Sequence, residues 1–132
     1  MIAVDTNILV RFLVGDDEQQ SKKVYKIFKD SENEKLQVYV ALLVILELIW
    51  VLESAYKIDR DDIINSLDQM ILMPIFDFEN LEVIQQFIPE AKKSNFDLSD
   101  LLIAHSSTQA GCDKVITFDK KASKHSLFKL LK

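Results

Sequence analysis

The chain has 132 residues, enough to bury one hydrophobic core without staples. Its 48% apolar and 28% charged composition reads as an ordinary soluble globular protein. The longest apolar run, Val38 to Leu46, is too short for a bilayer span of roughly 20 residues. The net charge of −5 argues against a general nucleic-acid binder held by phosphate contacts alone, and a single cysteine, Cys112, cannot form an intramolecular disulfide or build a thiolate zinc site.

With two glycines and two prolines, helices and strands must fill most of the chain. Ile2 to Asp5 is a short apolar run closed by a polar residue, the pattern of a buried strand. The acid at position 5 argues against a signal peptide, and the chain is expected in the cytoplasm. Thr6 to Val14 reads as a helix ending at Gly15. Asp16-Asp17 opens a second helix with Val24, Ile27 and Phe28 on one face. Leu36 to Val40 reads as a strand. Leu42 to Tyr56 is a helix apolar nearly all round, expected to be deeply packed. Asp59 or Asp61 starts a helix through Ile71, Pro74 to Asp77 suggests a strand, and Asn80 to Lys93 a helix kinked or restarted at Pro89. Leu98 to Ala110 is a helix closed by Gly111, with Cys112 a small buried residue just beyond it. Val115 to Phe118 is a strand ending in Asp119, and the tail adds a short helix and an edge strand at Leu127 to Leu131.

Alternating strands and helices, with no repeats or linkers, predict a single α/β domain over residues 1–132: a three-layer α/β/α sandwich with a mostly parallel central sheet. In such folds ligands bind beyond the carboxyl ends of the strands, where Asp5 and Asp119 are expected.

The acids carry the chemistry. Glu47 interrupts the apolar stretch Val40 to Leu52, most of it in the predicted helix, where a carboxylate is costly unless a cation or donor meets it. It is either salt-bridged to a Lys or Arg, or a metal ligand. Asp5, Asp100 and Asp119 each have a plainer reading as helix caps. Four carboxylates in one crevice would repel one another, and a hard divalent cation such as Mg2+ or Mn2+ relieves that repulsion with oxygen ligands alone. Charge is uneven along the chain: residues 91–132 hold eight lysines against four aspartates, a net of +4, leaving −9 for residues 1–90. The lysines are either a solvated surface or a phosphate-gripping rim beside an acidic centre.

Ile2-Ala3-Val4-Asp5-Thr6-Asn7-Ile8-Leu9-Val10-Arg11-Phe12-Leu13 resembles the opening motif of PIN domains, especially the VapC-type toxins of bacterial and archaeal toxin–antitoxin pairs. Leu46-Glu47-Leu48-Ile49-Trp50-Val51-Leu52 resembles their second motif, Asp97-Leu98-Ser99-Asp100-Leu101-Leu102-Ile103-Ala104 the third, and Thr117-Phe118-Asp119 the fourth. Order and spacing fit over essentially the whole chain. The resemblance implies an acidic quartet of Asp5, Glu47, Asp100 and Asp119, with Asn7 and Thr117 as supporting polar groups and Asp97 as an outer ligand or helix cap. Two positions depart from the pattern. Ala41 stands where relatives often place a capping Ser or Thr. His105 stands where a small residue is usual; about 140° around the helix from Asp100, it reads as packing or surface.

The resemblance further implies a Mg2+- or Mn2+-dependent endoribonuclease that leaves a 5′-phosphate and a 3′-hydroxyl. It also implies a homodimer and a cognate antitoxin, while the shortness of the apolar runs argues against a membrane partner. Arg11, Lys120, Lys121 and Lys124 are candidates to hold flanking RNA phosphates, with a salt bridge as the plain alternative for Arg11. Two rivals stand beside this reading. One is a phosphoryl-accepting Mg2+ phosphatase, which needs a second Asp two residues after the first; Asp5-Thr6-Asn7 lacks it. The other is a catalytically inactive PIN-like interaction or RNA-binding module, which would be expected to have lost one or more of the acids.

Overall fold

The computed structural model describes residues 1–132, in two compact units, Met1–Leu81 and Glu82–Lys132. All strand pairings are parallel, as the α/β reading requires.

The first unit holds β1 (Ile2–Ala3), α1 (Thr6–Val14), α2 (Glu18–Asn33), β2 (Val38–Val40), α3 (Leu42–Ser54), α4 (Arg60–Met70) and β3 (Phe76–Phe78). Its sheet has the order β1-β2-β3, each crossover filled by two helices. Register sets Val38 beside Phe76 and Val40 beside Phe78; these four side chains are buried, while Tyr39 and Asp77 between them are half-buried. This is the two-residue alternation of a strand. On α1 and α2, Phe12 meets Phe28 at 5.1 Å and Phe76 at 6.0 Å, edge to face, and Phe28 meets Phe76 at 5.4 Å. An aromatic seam therefore ties the first two helices to β3.

Several boundaries shift from the expected ones for local reasons. β2 begins at Val38 because α2 ends in a left-handed turn at Lys35 (φ 57°). There Leu36 N–H donates to Ser31 O at 2.8 Å and Lys35 N–H to Glu32 O at 3.2 Å, a Schellman pattern that draws Leu36 out of the strand. β3 begins at Phe76, not at Pro74, which lies in a turn and has no N–H to donate. Ile2 is 44% exposed, since β1 is an edge strand, and Ile27 of α2 is 43% exposed, so only Val24 and Phe28 of its expected face are buried.

The second unit holds all of α5 (Leu81–Lys93) beyond its first residue, α6 (Leu98–Gln109), β4 (Val115–Thr117), a 3-10 turn (Ala122–Lys124) and β5 (Phe128–Leu130). α5 runs unbroken through Pro89. Pro89 and Gln85, whose carbonyl loses its helical donor, are both exposed, so solvent can satisfy that carbonyl. α6 ends in a second Schellman motif: Gly111 has φ 98°, its N–H donates to Thr108 O, and Cys112 N–H donates to Ser107 O, both at 3.0 Å. Cys112 is exposed, not buried as expected, because that motif carries it outward past the helix end. β4 pairs with β5 over Ala104, Ala122 and Phe128, which form one buried cluster. No helix is long and apolar enough to cross a membrane.

Candidate active site

In the first unit, Asp5 stands between β1 and α1 as the helix N-cap, its Oδ1 accepting from Ile8 N–H at 3.2 Å. The capping role is therefore real, but it engages one carboxylate oxygen. Asp5 and Asn7 are exposed and help line an open groove of about 470 Å3 together with Arg11, Gln20 and Lys23. Arg11 is already engaged. Its guanidinium pairs with Asp16 at 3.1 Å and donates to Tyr56 Oη at 3.1 Å and to Gln20, while Tyr56 donates to Asp16 at 2.9 Å. The Tyr56 hydrogen bond above all, and the Asp16 charge, raise the Arg11 pKa further. The salt-bridge alternative is the one realised.

Glu47 lies on α3 and is exposed. The expectation of a helix deeply packed all round is corrected: Leu43 is 71% and Trp50 61% exposed, and at four before and three after Glu47 they share its face. The apolar stretch buries Ile45, Leu48, Ile49 and Leu52, leaving a second apolar stripe outside with the acid in it. The carboxylate has no ion pair and no hydrogen bond, so the salt-bridge alternative for Glu47 is not realised. Ala41 supplies no side-chain cap to α3; Glu79, just beyond β3, does so from across the sheet, accepting Leu42 N–H at 2.8 Å.

In the second unit, Asp97 is the N-cap of α6, accepting Asp100 N–H at 3.0 Å. Asp100, in the first turn, is half-buried and its carboxylate has no partner. Burial first, then the charges of Asp97 and Asp119, push its carboxyl above the usual carboxylate range. Asp119 follows β4, and its Oδ1 accepts from Lys121 N–H at 2.8 Å and Ala122 N–H at 3.1 Å. Thr117 Oγ1 accepts Asp119 N–H at 2.9 Å and so fixes the exit from β4. Lys120, Lys121 and Lys124 are exposed and make no ion pair. One carboxylate flanked by two like charges, with unpaired lysines close by in sequence, suits an oxyanion held together with a cation.

A model of the PIN domain family matches residues 2–126. The chain belongs to the PIN domain family. It is also similar to a VapC ribonuclease of Aquifex aeolicus (strain VF5), 26% identical over 124 residues that cover 94% of this chain and 91% of that protein. The α/β class with parallel strands is the one this membership requires.

The acids of this PIN domain suit a hard divalent cation in chemistry: all donors are oxygen, Glu47 and Asp100 are unpaired, and Asp100 feels its neighbours' charge. No three His, Cys, Asp or Glu side chains stand together as a preformed cage. Two groups escaped the sequence reading. Glu79 was hidden because its capping partner is 37 residues away. The second is a cluster of Glu90, His105 and His125. His105 is half-buried as packing, but its Nε2 lies 2.7 Å from Glu90 Oε1, a pairing across 15 residues that no local pattern announces.

Proposed function

We propose that this chain is a Mg2+- or Mn2+-dependent endoribonuclease, acting as one PIN domain and as the toxin of a toxin–antitoxin pair in the cytoplasm. The observation that carries the reading is the unpaired Asp100 carboxylate, held half-buried beside the like charges of Asp97 and Asp119 in a chain of this family. Like charge is stored there without a cationic side chain to balance it, as a site for a metal-bridged phosphate would require. Likeness to a protein called VapC ribonuclease supports RNA as the substrate, and the resemblance of the four motifs to VapC-type toxins supports an antitoxin as the partner.

Asp5 and Asp100 would ligate the ion, with Glu47 and Asp119 completing the set directly or through water; Asn7 and Thr117 would orient their neighbours. When bound, a divalent ion lowers the pKa of a water and stabilises the leaving oxygen of the phosphodiester. Lys120, Lys121 and Lys124 would hold flanking phosphates, while Arg11 would do so only by leaving Asp16. The antitoxin would neutralise the acids with an Arg or Lys. The exposed Leu43 and Trp50 supply apolar surface for a homodimer. The deciding experiment sequences RNA ends after brief expression of the wild type and of Asp5→Asn. New ends with 5′-phosphate, present only with the wild type, are expected; identical ends in both would refute the nuclease reading.

A further inference from the structure

Glu90, His105 and His125 form a polar cluster, wholly within the second unit, that the proposed chemistry does not use. Glu90 on α5 binds His105 Nε2 on α6 at 2.7 Å, and the same Oε1 lies 2.9 Å from His125 Nε2. His125 is 5% exposed, its ring edge-on to Phe96 at 5.0 Å and Phe128 at 6.0 Å. Leu127 N–H donates to His125 Nδ1 at 2.9 Å. That bond requires a bare Nδ1, so the neutral ring carries its proton on Nε2, the nitrogen beside Glu90. The Nε2 contact is short but off the line of a good hydrogen bond, and the buried Nε2 has no other hydrogen-bond partner.

His125 also closes the turn that Asp119 opens. Its N–H donates to Ala122 O at 2.9 Å and its carbonyl accepts Phe128 N–H at 3.0 Å. Ala122 N–H donates to Asp119 Oδ1 at 3.1 Å, and Ser123 N–H to the Asp119 carbonyl at 3.0 Å. A chain of contacts therefore runs from Asp119 through Ala122 and His125 to Glu90. From there it passes through His105 into α6, the helix that presents Asp100. Burial alone would raise the Glu90 carboxyl, but the two imidazoles facing it bring it below its usual range, so it is anionic at neutral pH.

We propose that Glu90, acting through His125, is a positioning residue that fixes the Asp119 turn against α6 and so sets the placing of the Asp119 carboxylate for cleavage. The proposal rests on the ribonuclease reading for its purpose, but the clamp itself can be observed without activity. The test compares full-length wild type, Glu90→Leu, Glu90→Gln and His125→Asn by amide hydrogen exchange and by RNA cleavage with Mg2+. Asn at 125 keeps an acceptor for Leu127 N–H and serves if Glu90→Leu does not fold.

Glu90→Leu and His125→Asn should speed exchange at Lys121 and Ala122 by roughly tenfold, a change not shared by the core amides of α6. They should lower kcat by roughly tenfold with a smaller change in KM, and Glu90→Gln, which keeps the acceptor oxygen, should recover most of both. Equal acceleration at every slow amide, with kcat per folded molecule unchanged, would show a merely structural pair and overturn the clamp. Unchanged exchange at Lys121 and Ala122 would overturn it whatever cleavage did. A wild type inactive on RNA would instead overturn the ribonuclease reading, and with it the clamp's catalytic purpose.

Discussion

Asp5 has an observed capping role and a proposed ligand role, and one substitution separates them. It caps α1 through Oδ1, and Asn caps as well as Asp. Asp5→Asn should therefore leave the metal-free melting temperature equal or higher, abolish RNA cleavage, and shrink the rise in melting temperature that added Mg2+ gives the wild type by mass action. Paired thermal melts beside a cleavage assay check this; a destabilised, fully active variant would remove Asp5 from the ligand set. Asp100 provides a second test. Its folded pKa lies above the unfolded value, so the folded protein carries a penalty when Asp100 is ionised, and the penalty is relieved as pH falls through the raised value. Metal-free Asp100→Asn should then melt above wild type at pH 7, with the difference closing once both folded and unfolded carboxyls are protonated. A variant less stable at pH 7 would mean that Asp100 has a favourable partner. Sequence identified these acids but not their surroundings: Glu47 had to be met by something in an apolar helix, and the structure meets it with solvent.

At the scale of elements, caps decided the boundaries. Most helices begin or end where a polar residue or a turn conformation is visible in sequence: Asp5, Asp17, Asp97, Gly15 and Gly111 all take the positions their residue types favour. α3 is different, because Ala41 has no oxygen to offer and Glu79 caps in its place. Glu79→Ala should cost about 1 kcal/mol of stability, the usual loss of an N-terminal cap, while leaving the α6 end of the chain unaltered. Chemical denaturation measures the first effect and amide exchange locates it; no loss would show that water replaces the carboxylate at no cost. The strands β2 and β3 were legible as runs of Val and Phe. Their starts were not, since the left-handed Lys35 and the turn at Pro74 depend on bonds to residues several positions away.

For the molecule as a whole, activity should depend on divalent metal. Oxygen-only donors with no His or Cys partner predict that purified protein cleaves RNA with Mg2+ or Mn2+ and stops in excess chelator. Cleavage undiminished by chelator would exclude the metal mechanism while leaving family membership intact.

Sequence alone determined the α/β class, the chain order of helices and parallel strands, and the four acidic motifs, because hydrophobic period, cap chemistry and motif order are local properties. Only the tertiary structure decided which alternatives those residues realise. Arg11 has its Asp16 and Tyr56 partners, Glu47 has none, α3 shows Leu43 and Trp50 to solvent, and Cys112 is exposed. The same holds for Glu79 on α3 and for Glu90 between two histidines. Burial and pairing are set by residues far apart in the chain, and a long-range partner leaves no periodic trace in the sequence.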